Sequence, residues 1–195
     1  MTRHRPVAVV LALALLAGGS AHAFRWTPFA FPEGDQHYVL EIRHGEGDAA
    51  VAGTVDLRIA DAGETFDATT TFTFAQTGLS AEDLSSVAFG GSLTGMLVMG
   101  PALAYGPAFF LLPMMLGEEE VRVRTEPIRM VGVGALHMER EEEVAGRTCV
   151  VVRFEPDGDP SGAMTFALAE GLPFPCYSVY GSGDGRVEVR LLQAD

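Results

Sequence analysis

The chain has 195 residues, with 26 Asp and Glu against 13 Arg and no Lys, for a formal net charge of −13. So acidic a surface repels nucleic acid and anionic headgroups, which excludes functions built on binding polyanions. The length is enough for one domain with a real core.

Residues 1–23 read as a secretory signal. Arg3, His4 and Arg5 form a positive start, Val7 to Ala17 is an unbroken apolar run, and Ala21-His22-Ala23 supplies a small-x-small cleavage site. The apolar run is shorter than the roughly 20 residues that a helical span requires. Gly19 stands where a lipidated cysteine would be expected, which argues against a lipid anchor. The expectation is therefore cleavage after Ala23, with residues 24–195 forming a single periplasmic or secreted β-rich domain. Without the signal, 11 arginines face 26 acids, a charge of −15.

Phe24 to Gly34 (FRWTPFAFPEG) is an aromatic, proline-broken arm expected to lie over a hydrophobic edge. Strands follow. Tyr38 to His44 and Thr54 to Ala60 alternate apolar and polar residues with the period of two of a half-buried strand. Asp61 to Glu64 is a turn, and Phe66 to Gln76 returns as a third strand, completing a meander. Ser80 to Asp83 is a capping-box-like start for a short helix ended by Gly90-Gly91.

Leu84 to Gly117 contains no Asp, Glu, Arg or His. Within it Leu93 to Leu116 is strongly apolar and cut by prolines at 101, 107 and 113. Burial of this segment contributes on the order of 20–40 kcal/mol at most, so something covers it. The prolines argue against a single membrane-spanning helix. Two readings remain: short helices filling the core, or the wall of an apolar cavity or lid. Its helical insertion is placed at about 80–117.

Strands resume after the acid run Glu118 to Glu120. Val121 to Arg124 is one candidate and Met130 to Arg140 a second, followed by a solvated Glu141 to Glu143 link and an Ala145-Gly146 turn. Further strands are expected at 147–154, 163–169, 176–180 and 186–192, the last two joined by a Gly-rich hairpin loop. The fold class is mainly β with a helical insertion: an antiparallel, strongly curved sheet or open half-barrel wrapping a short apolar helical segment.

The chemistry-bearing residues form no catalytic constellation. No G-x-S-x-G elbow exists, and Gly132-Val133-Gly134 opens no helix, so neither signature holds. The histidines lack metal-ligand spacing, and the methionines read as packing rather than copper ligands. No enzyme activity, metal or cofactor is expected. A simple meander would place Cys149 and Cys176 two strands apart, about 9–10 Å. A disulfide needs Cα atoms within roughly 7 Å, so free thiols are expected unless the strand order is not sequential.

The block AGRTCVVVRFEP to the end, with its Ala145-Gly146 turn and Leu172-Pro173-Phe174-Pro175, resembles the C-terminal half of the LolA/LolB-like lipoprotein carriers and related exported bacterial proteins. The resemblance implies an unclosed β-barrel with a helical lid over an apolar cavity. The functional expectation is an exported protein binding an acyl chain or other apolar ligand. The alternative is an envelope structural or interaction module whose apolar segment docks on a membrane surface or protein partner. Candidate ligand-binding residues are Leu97, Met99, Leu103, Tyr105 and Phe109. Phe110, Leu112 and Met115, with Phe72 and Phe74 from the third strand, complete the set.

Overall fold

Alternating side chains commit most of this chain to antiparallel ladders. The computed structural model describes residues 22–45, 51–63, 65–74, 105–106 and 108–195. Among the described residues nine strands form one sheet: β1 (Gln36–His44), β2 (Val51–Asp61), β3 (Phe66–Phe74), β4 (Ile128–Met130), β5 (Gly134–Val144), β6 (Arg147–Pro156), β7 (Met164–Leu168), β8 (Tyr177–Tyr180) and β9 (Val187–Ala194). Their order is β3-β2-β1-β9-β8-β7-β6-β5-β4, antiparallel throughout. The sheet curves without closing into a barrel, as the sequence pattern predicts. The closing strand β9 pairs with β1, which joins the two halves across the undescribed 75–104 segment.

The register defines two faces. One row runs Gly53, Ile42, Val189, Ser178, Phe166, Val152 and Met138 across seven strands. This inner face carries one apolar cluster on β5 to β7 and, on β1 and β9, part of a second that also takes in Cys149, Val151, Ala167 and Tyr177 from the opposite face of β6 to β8. A helix, α1 over 108–116, lies on the first. Ala108, Leu112, Met115 and Leu116, spaced i, i+4, i+7 and i+8, are buried against Leu136, Val152 and Phe166, while Phe110 and Met114 face outward. Gly117, at φ 55°, ends the helix, and its N–H donates to the Pro113 carbonyl.

Several expectations are corrected here. Pro113 sits inside α1 rather than between helices. The missing hydrogen bond is outweighed by the buried stripe on either side, since packing rather than propensity sustains most short helices. Val121 to Arg124 forms no strand. It makes a single bridge to Phe24, and the Arg124 N–H donates to the Met138 carbonyl beside a bulge in β5. Glu141 to Glu143 is not a loose link but the end of β5, with Glu142 partly buried. Residues 1–21 of the signal segment, the helix expected from Ser80 and the first half of the apolar segment lie outside the described residues.

The cysteines are also placed differently. Both remain thiols, but their sulfurs lie 2.7 Å apart in the core. The cause is a bulge at the start of β8. Ala167 pairs by register with Tyr177, yet its carbonyl accepts from the Cys176 N–H, so two residues oppose one. That extra residue breaks the regular alternation and turns Cys176 toward Cys149, so the sulfurs meet although β7 stands between the two strands.

Candidate ligand-binding face

The apolar inner face extends beyond the part that α1 covers. On β1, Tyr38, Leu40 and Ile42 are buried. Their partners on β2 are Leu57, Val55 and Gly53, and these pair in turn with Thr70, Phe72 and Phe74 on β3. Burial fades along this direction: Leu40 and Val55 are covered, while Phe72 is 42% exposed among the described residues.

The border between the covered and fading regions is aromatic. Tyr105 is buried, and its hydroxyl donates to the Pro175 carbonyl at 3.1 Å. Burial pushes its phenol well above the usual tyrosine range, so the ring acts as a neutral, fixed post. Its ring lies 5.8 Å from Phe174 and 6.0 Å from Phe109. Phe109 touches both apolar clusters and stacks on Phe29 at 4.1 Å. The N-terminal arm supplies that cover. Phe24 and Trp26 are buried, the Trp26 indole N–H donates to the Leu172 carbonyl at 3.1 Å, and the Phe29 N–H to the Pro173 carbonyl at 2.9 Å. Loop 169–176 thus ties the arm, α1 and the sheet together.

The structure distributes the expected site residues unevenly. Leu112 and Met115 pack into the core beneath α1, and Tyr105 into the cluster beside it. Phe109 sits at the border, Phe72 lies on the fading edge, and Phe110 points outward at 81% exposure. The backbone of Phe74 stands opposite Gly53 on the inner-face row. Leu97, Met99 and Leu103 lie outside the described residues. Sequence reasoning missed Phe29 as the neighbour of Phe109 and Phe174 as the neighbour of Tyr105. The only signal for them is the density of aromatics in FRWTPFAFPEG and in Pro173-Phe174-Pro175.

Away from the buried Cys149, Val151 and Ala167 on β6 and β7, the outer face is polar and charged. Asp56 accepts from the Arg58 Nε at 3.1 Å and lies 3.1 Å from the His37 Nε2. Arg58, then His37, hold its carboxyl below the usual range. Thr54, Thr69, Thr71 and Thr73 line the same shallow cleft. Farther along, Glu142 gathers Arg140 at 3.2 Å, Arg190 at 3.3 Å and the Tyr177 hydroxyl at 3.4 Å. Burial, with the nearby Glu142 charge, pushes the Tyr177 phenol up to about 12. Among the described residues no group of three or more His, Cys, Asp or Glu side chains is arranged to hold a metal ion. No described helix is long and apolar enough to cross a membrane.

No protein-family model matches the chain, and no curated protein does. Among solved structures it is similar to MucB, at 12% identity over 84% of this chain and 53% of that one, with a TM-score of 0.40. The MucA/MucB complex of Pseudomonas aeruginosa gives 11% identity over 82% and 51%, with a TM-score of 0.37. An outer membrane lipoprotein-sorting protein domain from Vibrio parahaemolyticus gives 9% over 83% and 85%, with a TM-score of 0.24. None of these likenesses carries an argument about function. This chain spans about half the length of the MucB structures it is similar to.

Proposed function

We propose that this is an exported, non-enzymatic protein that binds an acyl chain or comparable apolar ligand on the inner face of its sheet. The observation that supports it is the Leu40–Val55–Phe72 row, apolar across three strands while its cover thins toward β3. The aromatic border at Tyr105 and Phe109 gives one end of that face a rigid wall, the usual make-up of an apolar site. Delipidated, refolded protein is expected to take up a fluorescent fatty acid saturably. A fully buried phenylalanine contributes about 1.5–3 kcal/mol, so Phe72→Asp should weaken uptake about tenfold or more. Absence of uptake by the folded wild-type protein would sink this reading. Export itself is tested by the mature N-terminus, expected at Phe24 in periplasmic material.

A second reading has its own observation. Phe110 and Met114, one turn apart on α1, present an exposed apolar edge. Such an edge fits docking against an envelope protein or membrane surface. Membrane-fraction partitioning that is lost in a folded Phe110→Asp variant would favour it, and unchanged partitioning would count against it.

A further inference from the structure

We propose that Cys149 and Cys176 are an intramolecular disulfide site, cross-linking the start of β6 to the bulge before β8 when the chain stands in an oxidising compartment. The Sγ atoms are 2.7 Å apart, and both residues are 0% exposed. Carbon atoms at their optimal separation stand about 3.5–4.0 Å apart, and sulfur is the larger atom. The pair is therefore closer to the covalent distance of about 2.0 Å than to ordinary contact.

Backbone interactions set this approach on both sides. Cys149 is held opposite Glu142 in the β5–β6 ladder. Cys176 donates its N–H to the Ala167 carbonyl at 2.7 Å and accepts from the Leu191 N–H at 2.6 Å. The strand between them places small residues in the gap: Ala167 pairs with Val151, and one step beyond the Val150–Leu168 pair stands Ala169. Methyl groups leave the sulfurs free to meet over β7, where larger side chains would part them. The same bulge that sends Cys176 to this side is what makes a cross-link over an intervening strand feasible.

The chemistry is thiol–disulfide exchange with a disulfide-bearing oxidant, either a thiol oxidoreductase or oxidised glutathione. One cysteine, as thiolate, attacks the oxidant's disulfide and forms a mixed disulfide, releasing the oxidant's other sulfur as a thiolate that takes up a proton. The second cysteine then displaces the oxidant's remaining sulfur, closing the Cys149–Cys176 bond. The chain loses two protons and two electrons, and the oxidant's disulfide becomes two thiols. With both sulfurs buried in the fold, closure belongs to the folding chain, before the core seals.

The test refolds reduced, full-length protein in a buffer of reduced and oxidised glutathione, with acid quench and alkylation in denaturant. A parallel sample stays in denaturant with the same redox buffer. The expected product is a monomer, lighter by two hydrogen atoms and carrying no alkyl group, while protein refolded in dithiothreitol carries two. The ratio of bonded to free chains should exceed that of the denatured sample by at least about tenfold, because folded geometry raises the effective concentration of one thiol at the other. Two alkylated cysteines, a covalent dimer, stable glutathione adducts, or a ratio equal to the denatured control would each overturn the proposal. The outcome is independent of fatty-acid uptake.

Discussion

Single residues carry sharply unequal weight in this fold, and the helix shows it best. Leu112 is 0% exposed beneath α1, whereas Phe110, two residues earlier, is 81% exposed. Leu112→Ala removes packed methyl groups and leaves a cavity, which costs about 2–5 kcal/mol. Phe110→Ala should lie within about 0.5 kcal/mol of wild type, as surface substitutions do. Urea denaturation of the two variants checks the contrast. On the outer face, Asp56 is depressed by Arg58 and His37. A carboxyl whose folded pKa is lowered adds stability above its unfolded value of about 3.9. That contribution is lost as pH falls through the lower folded value. Asp56→Asn should therefore lower stability in the neutral region, converge on wild type at low pH, and so flatten part of the acid limb of a stability-against-pH curve. An acid limb identical to wild type would show that the carboxylate does not sense its neighbours. Both residues follow from pattern in different degrees. Asp56 is readable as an outward strand position from the alternation of Thr54 to Ala60. Leu112 could not be told from Phe110, because the segment is apolar on every side and only the sheet decides which stripe is buried.

Elements were legible where local chemistry governs them and obscure where tertiary contacts do. The three-strand meander and the last four strands stand close to their expected places because period-two alternation and turn residues act locally. The Ala145-Gly146 turn was likewise readable. Both residues have positive φ, 50° and 73°, as a two-residue hairpin matched to strand twist requires. Alanine has no natural preference for that region, so Ala145→Gly should leave the register intact and stabilise the β5–β6 hairpin by up to about 1 kcal/mol. Gly146→Val should destabilise by about 1–3 kcal/mol, since a β-branched residue there is strained. Chemical denaturation of the pair reads both signs, and loss of stability in Ala145→Gly would contradict the turn assignment. By contrast, α1 running through Pro113, the bulge in β5 and the bulge before β8 have no local signature. Each exists because neighbouring strands or an apolar face compensate a locally unfavourable backbone. The candidate face shares this limit: Phe109 was readable as apolar, but its stack on Phe29 joins residues 80 positions apart in sequence and needs the arm to fold back.

At the scale of the whole molecule, one loop concentrates the connections between layers. Residues 169–176 accept the Trp26 indole, the Phe29 amide and the Tyr105 hydroxyl, and end at Cys176 against Cys149. The arm, the helical segment and the sheet therefore converge on a segment with little secondary structure of its own. A covalent bond there restricts the unfolded chain by closing a loop whose ends are 27 positions apart. In the chain-entropy picture a loop of this size contributes about 3–4 kcal/mol. The folded state changes little, because the sulfurs already touch. Oxidised protein should thus unfold at a higher denaturant concentration than protein kept in dithiothreitol. Its slope should fall slightly, since a cross-linked unfolded chain exposes less surface. Cys149→Ser should unfold near the reduced midpoint and lose its response to reductant, because it has only one thiol. If the oxidised and reduced proteins unfold together, the bond does not constrain the unfolded chain, and the cover over the aromatic border rests on the packing of Trp26, Tyr105 and Phe174 alone.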